Sequence, residues 1–219
     1  MSLGWVVAIL LLMLVIFYFL RRQGAQVAAI MQSEPPRPHP QPVSGIELPS
    51  GYCFHPGHTW MAQEEKATAR VGMDGFAANL LGCLQHMTVI GEQRWVRQGQ
   101  KLMTVTGEYE TVELLSPLEG VVAAINPEVI KDPGLAARDP YGEGWVCQIK
   151  PPEIEANQRN LMQGPLAARW MENCFKQLKS MLAEVDPALA QDGGLPLRGA
   201  LSRLSPERRK RMVKEFFLS

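Results

Sequence analysis

The first residues whose types could do chemistry are His55 and His58, three apart in HPGHTW, where a metal ion would be the obvious ligand. On a strand, residues three apart point to opposite faces, so the two rings do not converge on one ion and a structural role is expected. Four cysteines, Cys53, Cys83, Cys147 and Cys174, are widely spaced and form no CxxC pair. They read as buried or half-buried free thiols, which fits a reducing compartment. No GxSxG, P-loop, HExxH or Cys–His spacing supplies a nucleophile. The Gly107–Glu108 and Gly142–Gly144 clusters read as turns, because neither opens a helix after a strand. In DPYGEG, Gly142 and Gly144 are expected to supply unusual backbone angles ahead of a strand. No catalytic residue, cofactor ligand or metal ligand is assigned, so the expectation is a non-enzyme without a cofactor.

Charge offers the second kind of chemistry. Over 219 residues, 22 basic and 22 acidic side chains cancel, which excludes a global pull toward nucleic acid or acidic lipid. The segment LPLRGALSRLSPERRKRMVKEFFLS (195–219) is different. Arg198, Arg203, Arg208, Arg209, Lys210, Arg211 and Lys214 stand against Glu207 and Glu215, a local charge of +7 − 2 = +5. Phe216 and Phe217 lie beside that charge. Three uses fit such a basic amphipathic helix: lying on an anionic membrane surface, docking into a partner's groove, or packing its phenylalanines on its own domain. No RNA-reading module accompanies it, so nucleic acid is not expected as a partner.

The elements that would position these groups fall into four stretches. Residues 3–20, LGWVVAILLLMLVIFYFL, contain no charge and are followed by Arg21 and Arg22. As a helix they span roughly 27 Å, close to the hydrocarbon thickness. The two arginines should stay on the inner side, so a single-pass transmembrane helix is expected, with its N-terminus outside and the rest of the chain in the cytoplasm. A bacterial-type inner membrane is the expected location. The linker 21–45 holds prolines 35, 36, 38, 40 and 42, which favour an extended polyproline spacer. From 46 to 152, short apolar runs broken by Gly and Pro predict a mainly β domain. One helix is expected over 73–81, with Asp74 as N-cap and Phe76, Ala77, Leu80 and Leu81 on one face. A helical extension fills 153–219. Its first long helix, 164–185, has Pro165 near its start and a stripe of Leu166, Trp170, Cys174, Leu178 and Leu182; its last, 205–217, opens with Ser205 as N-cap and Pro206.

Four stretches of the β region resemble the glycine cleavage system H-protein family. LPSGYCFHPGHTWM (48–61) is similar to the family's opening HTW segment, and VGMDGFAANLLGCLQHMTV (71–89) to its "VGIT–FA–LGD" segment. LLSPLEGVVAAIN (114–126) is similar to "LYSPVSGEVVEVN", and DPYGEGWVCQIK (139–150) to the closing "DPYGEGWL–IK". The resemblance implies a lipoyl/biotinyl-type barrel-sandwich hybrid with a helical end. It also implies a hairpin that projects a lipoylated lysine, set in "ESVKAASELYSP" eight residues before the proline. Counting back from Pro117 reaches Tyr109 in TGEYETVELLSP (106–117), so this chain resembles a degenerate member that lacks the attachment amine. Tyr109, with Glu108 and Glu110 beside it and Glu113 nearby, is either a plain turn residue or an interaction anchor.

The candidate interaction residues are therefore Glu108, Tyr109 and Glu110 on the hairpin and Arg208, Arg209, Arg211, Phe216 and Phe217 on the tail. The expected role is a membrane-anchored, non-lipoylated scaffold module that binds protein partners. The alternative is a lipoyl or aminomethyl carrier using another attachment site.

Overall fold

The computed structural model describes residues 48–65, 68–185 and 201–217. The expected transmembrane span (3–20) and proline linker (21–45) lie outside the described residues. Among those residues, no helix is long and apolar enough to cross a membrane.

Among the described residues, nine short strands carry the fold: β1 Tyr52–His55, β2 Thr59–Glu65, β3 Thr68–Met73, β4 His86–Val89, β5 Trp95–Val96, β6 Lys101–Thr106, β7 Thr111–Leu115, β8 Gly120–Ile125 and β9 Cys147–Lys150. They form two antiparallel sheets, of order β1-β2-β3-β9-β8-β5 and β4-β6-β7. The inward positions alternate as a half-buried strand requires: in β7 Val112 and Leu114 are buried while Thr111 and Glu113 are exposed. Trp60, Phe54, Met61, Leu102, Met103 and Leu114 meet in one core shared by both sheets. The fold is thus a mainly β sandwich with helices following it.

The helices stop and start where local chemistry directs. Helix α1 (Gly75–Leu81) is capped by Asp74, whose side chain accepts from the Ala77 N–H, as the sequence predicted. Two short helices, α2 (Pro127–Lys131) and α3 (Leu135–Arg138), precede β9. After β9 come α4 (Ile154–Gln158), α5 (Gly164–Ala183) and α6 (Pro206–Phe217). The extension is stitched to the sheet at Phe54, which exchanges both backbone hydrogen bonds with Met162, at 2.8 and 2.9 Å.

Three expectations change. In α5, Leu166 is not on the core face but 59% exposed; the buried face is Ala167, Met171, Cys174, Phe175, Leu178 and Leu182, with Trp170 partly buried. In DPYGEG, neither Gly142 nor Gly144 has a positive φ. They are glycines because of close approach: a Cβ would come within 2.3 Å of Asp139 Oδ2 and 2.4 Å of Asp139 O, respectively. Among the cysteines, Cys83 is exposed, whereas Cys53, Cys147 and Cys174 are buried.

Burial raises the Cys53 thiol to about 11 and the Cys147 thiol to about 12. Both then remain protonated through neutral pH, and thiolate forms only as the pH approaches those values. With iodoacetamide near neutral pH, Cys83 alone should be alkylated in the native protein, and the other three only after denaturation. Peptide mass spectrometry reads this directly; native labelling of Cys147 would contradict the packing described.

Candidate functional site

The hairpin between β6 and β7 projects residues 107–110. Its turn is closed by Gly107 N–H donating to Glu110 O at 2.9 Å. Its base is held to the end of α1, where Glu108 N–H donates to Leu81 O at 3.2 Å. Gly107 permits that approach, since a Cβ there would lie 2.5 Å from Leu81 O. Tyr109 therefore stands at the tip, 36% exposed, with Glu108 exposed and Glu110 half-buried beside it. Glu113 is set apart from this group. It sits on β7 and is ion-paired with Lys101.

The tip is not free of the tail. The Arg209 guanidinium lies over the Tyr109 ring, 4.8 Å from its centroid, a cation–π contact. Arg209 is itself oriented by donating Nε–H to Leu204 O at 2.9 Å. The Tyr109 phenol is pushed up chiefly by its hydrogen bond to Glu108, against smaller opposing effects of Arg209 and of a hydrogen bond with Ser202. Thus Glu108, Tyr109, Ser202 and Arg209 form one clasp between hairpin and tail. Of the predicted site residues, the structure unites Tyr109 and Glu108 with Arg209. Arg208 and Arg211 are exposed on the same helix, outside the clasp.

Phe216 and Phe217 depart from the expectation of an interaction anchor: they are 4% and 0% exposed. They pack within 6.2 and 5.7 Å, centroid to centroid, of the His58 ring, and Phe216 also lies 5.0 Å from Phe76. The physical reason is area. Burying a phenylalanine yields about 1.5–3 kcal/mol, and the domain offers an apolar recess of its own.

His58 is the feature that residue spacing did not reveal. It occupies the turn between β1 and β2 at φ +61°, so His55 and His58 are not strand neighbours. The His58 ring is 1% exposed, stacked on Phe76 at 4.6 Å and tilted against Trp170 at 4.9 Å. Its Nδ1–H donates to Asp74 Oδ2 at 2.8 Å, while Asp74 Oδ1 holds the cap of α1. The available signal was Asp74: a capping carboxylate uses one oxygen and leaves the second for a buried donor.

This cluster also contains a thiol, yet it is not arranged for nucleophilic chemistry. Burial, followed by the Asp74 charge, raises Cys174 to about 12, the reverse of thiolate activation. Among the described residues, no group of three or more His, Cys, Asp or Glu could hold a metal ion.

The sequence profile described as "Glycine cleavage H-protein" matches residues 52–174, more than half of the chain. The "Glycine cleavage system H protein" of Magnetococcus marinus is 28% identical over 129 residues, covering 59% of this chain and 91% of that protein. That of Legionella pneumophila strain Corby is 35% identical over 100 residues, covering 45% and 78%. The crystal structure of a glycine cleavage system H protein from Mycobacterium marinum is similar at 22% identity and a TM-score of 0.49, covering 57% of this chain and 98% of that one. The profile match ends inside α5, so the clasp's Ser202 and Arg209 and the buried Phe216 and Phe217 all come from sequence beyond it.

If the tail is built into the core, Phe217→Ala should lower stability by about 3–5 kcal/mol, the range of core truncations. Leu166→Ala, at an exposed site, should stay within about 0.5 kcal/mol. Urea unfolding of the two variants makes the comparison, and a neutral Phe217→Ala would show that α6 is not part of the folded unit.

Proposed function

The chain belongs to the glycine cleavage H-protein family, and within it we propose a membrane-tethered interaction module that carries no lipoyl group. One observation supports this above all: Tyr109 stands at the hairpin tip, where the family motif sets its lysine. Lipoate is joined to that lysine through an amide on the side-chain nitrogen, and a phenol offers no equivalent. The relatives are named glycine cleavage system H proteins, and H-proteins are carriers rather than catalysts. This member keeps the domain and its hairpin, and its role is to bind protein partners rather than to shuttle a group or catalyse a reaction.

The carrier alternative draws on the family name and needs another amine. Lys101 is the nearest upstream, but it lies at the opposite end of β6 from the tip, roughly 16 Å along the strand. It is also ion-paired with Glu113. Lys131 ends α2 and is no part of the hairpin.

Intact-mass measurement of protein made in a lipoylating host tests the reading. The expected result is the unmodified mass. A lipoyl group found on the wild-type chain would establish the carrier instead. Tyr109→Lys should restore an acceptor, best combined with Arg209→Ala, because Arg209 would otherwise face the new cation at the tip.

The tether rests on the uncharged stretch 3–20 followed by Arg21 and Arg22 and the proline spacer. Tethering raises the module's effective concentration toward membrane-bound partners. It places the described domain on the cytoplasmic side of an inner membrane. Deleting Met1–Arg22 should move the protein from the membrane to the soluble fraction; retention of the truncated chain in the membrane would reject the tether as its anchor.

A further inference from the structure

Helix α6 spends its apolar half on the domain core, and what remains outward is charge. Met212, Val213, Phe216 and Phe217 are buried, while Arg208, Lys210, Arg211 and Lys214 are exposed. At 100° per residue, Lys214 and Arg211 lie about 160° and 140° around from Phe216 with Glu207 between them, and Lys210 and Arg208 flank this face on either side.

The acids of the same helix offset these cations only in part, two exposed glutamates, Glu207 and Glu215, against four exposed cations. Glu215 accepts from Gln177 Nε2 of α5 at 2.8 Å. Glu207 sits in the first turn, where backbone and Ser205 hydrogen bonds, and then the charges of Lys210 and Arg209, hold its carboxyl below the usual range. Among the described residues, none of Arg208, Lys210, Arg211 and Lys214 forms a salt bridge. The cavity next to them, between α5 and α6, measures about 80 Å³ and is lined by Arg208, Arg211 and Glu184 among others. It is too small for a ligand of ordinary size, which needs roughly 300 Å³ or more.

We propose that this outward face of α6 rests on anionic lipid headgroups and fixes how the domain sits on the membrane. The inference builds on the tether proposed above. A proline spacer of about ten residues extends roughly 30 Å, so a tethered domain stays within reach of the surface it hangs from. Headgroups match the face in two respects. They supply negative charge without requiring a groove, and they need no hydrophobic wedge, which α6 cannot offer while its phenylalanines are buried. The contact is electrostatic alone, so it fades with salt.

Lysine footprinting of the full chain in nanodiscs tests it, with discs of phosphatidylcholine alone or mixed with phosphatidylglycerol. At low ionic strength, acetylation of Lys210 and Lys214 should slow about tenfold in the anionic discs, with the rate restored at high ionic strength. Lys176, ion-paired with Glu172 on α5, serves as the internal reference. R208Q/R211Q should weaken the protection of both lysines while leaving the chain in the disc. Equal reactivity in the two lipids would overturn the headgroup contact while leaving the tether standing. A chain that enters neither disc overturns the tether, and this contact with it.

Discussion

A histidine ring in an apolar interior is tolerated only when its polar atoms are satisfied and its faces are packed, and both conditions are met at His58. Asp74 accepts from Nδ1, and Phe76 and Trp170 both lie against the ring. An unpaired buried donor would cost on the order of 1–3 kcal/mol, so the carboxylate and the ring must be placed together. The pair links four elements: the turn after β1 supplies the ring, and α1 supplies the carboxylate as its own N-cap. The helix α5 supplies Trp170, and α6 closes the cluster with Phe216 and Phe217. A left-handed φ at a non-glycine residue is retained there because so many contacts determine it.

From that cluster follows the state of the hairpin tip. The phenylalanines fix the rotation of α6, and the rotation brings Arg209 over Tyr109 rather than out to solvent. Arginine suits this position because its planar guanidinium can lie on an aromatic face while Glu108 remains nearby. A lysine at the tip would meet a like charge in the same place. The aromatic residue at position 109 and the cation at position 209 are therefore complementary to each other, and each makes sense of the other's type.

How far the residues foretold this differs by feature. The β domain and the cap of α1 were legible because their signals are local: turn residues at fixed offsets, alternating burial, and a carboxylate before an apolar helix. The expected stripe of α5 holds at Cys174, Leu178 and Leu182 but fails at Leu166 for a geometric reason. Leu166, Trp170, Cys174, Leu178 and Leu182 recur strictly every four residues, and four steps of 100° overshoot a full turn by about 40° each time. Such a row walks around the helix, whereas the true face mixes steps of three and four through Ala167, Met171, Cys174, Phe175 and Leu178. The amphipathic pattern of α6 was also visible, but the same pattern serves a membrane, a groove or the chain's own core. Only the recess beside His58 decides among them, and His58 and Phe76, which help to form it, lie more than a hundred residues away in the chain.

The tail is consequently not an appendage that the domain could shed without loss. The family match ends within α5, short of α6, so the matched region alone would leave the Phe216 and Phe217 side of the aromatic cluster open. With α6 in place, Phe76 and His58 are each no more than 1% exposed. A large apolar face uncovered on a soluble domain invites association. Covering it within the same chain keeps the domain closed, and it leaves the polar half of α6, with Arg208, Lys210, Arg211 and Lys214, exposed.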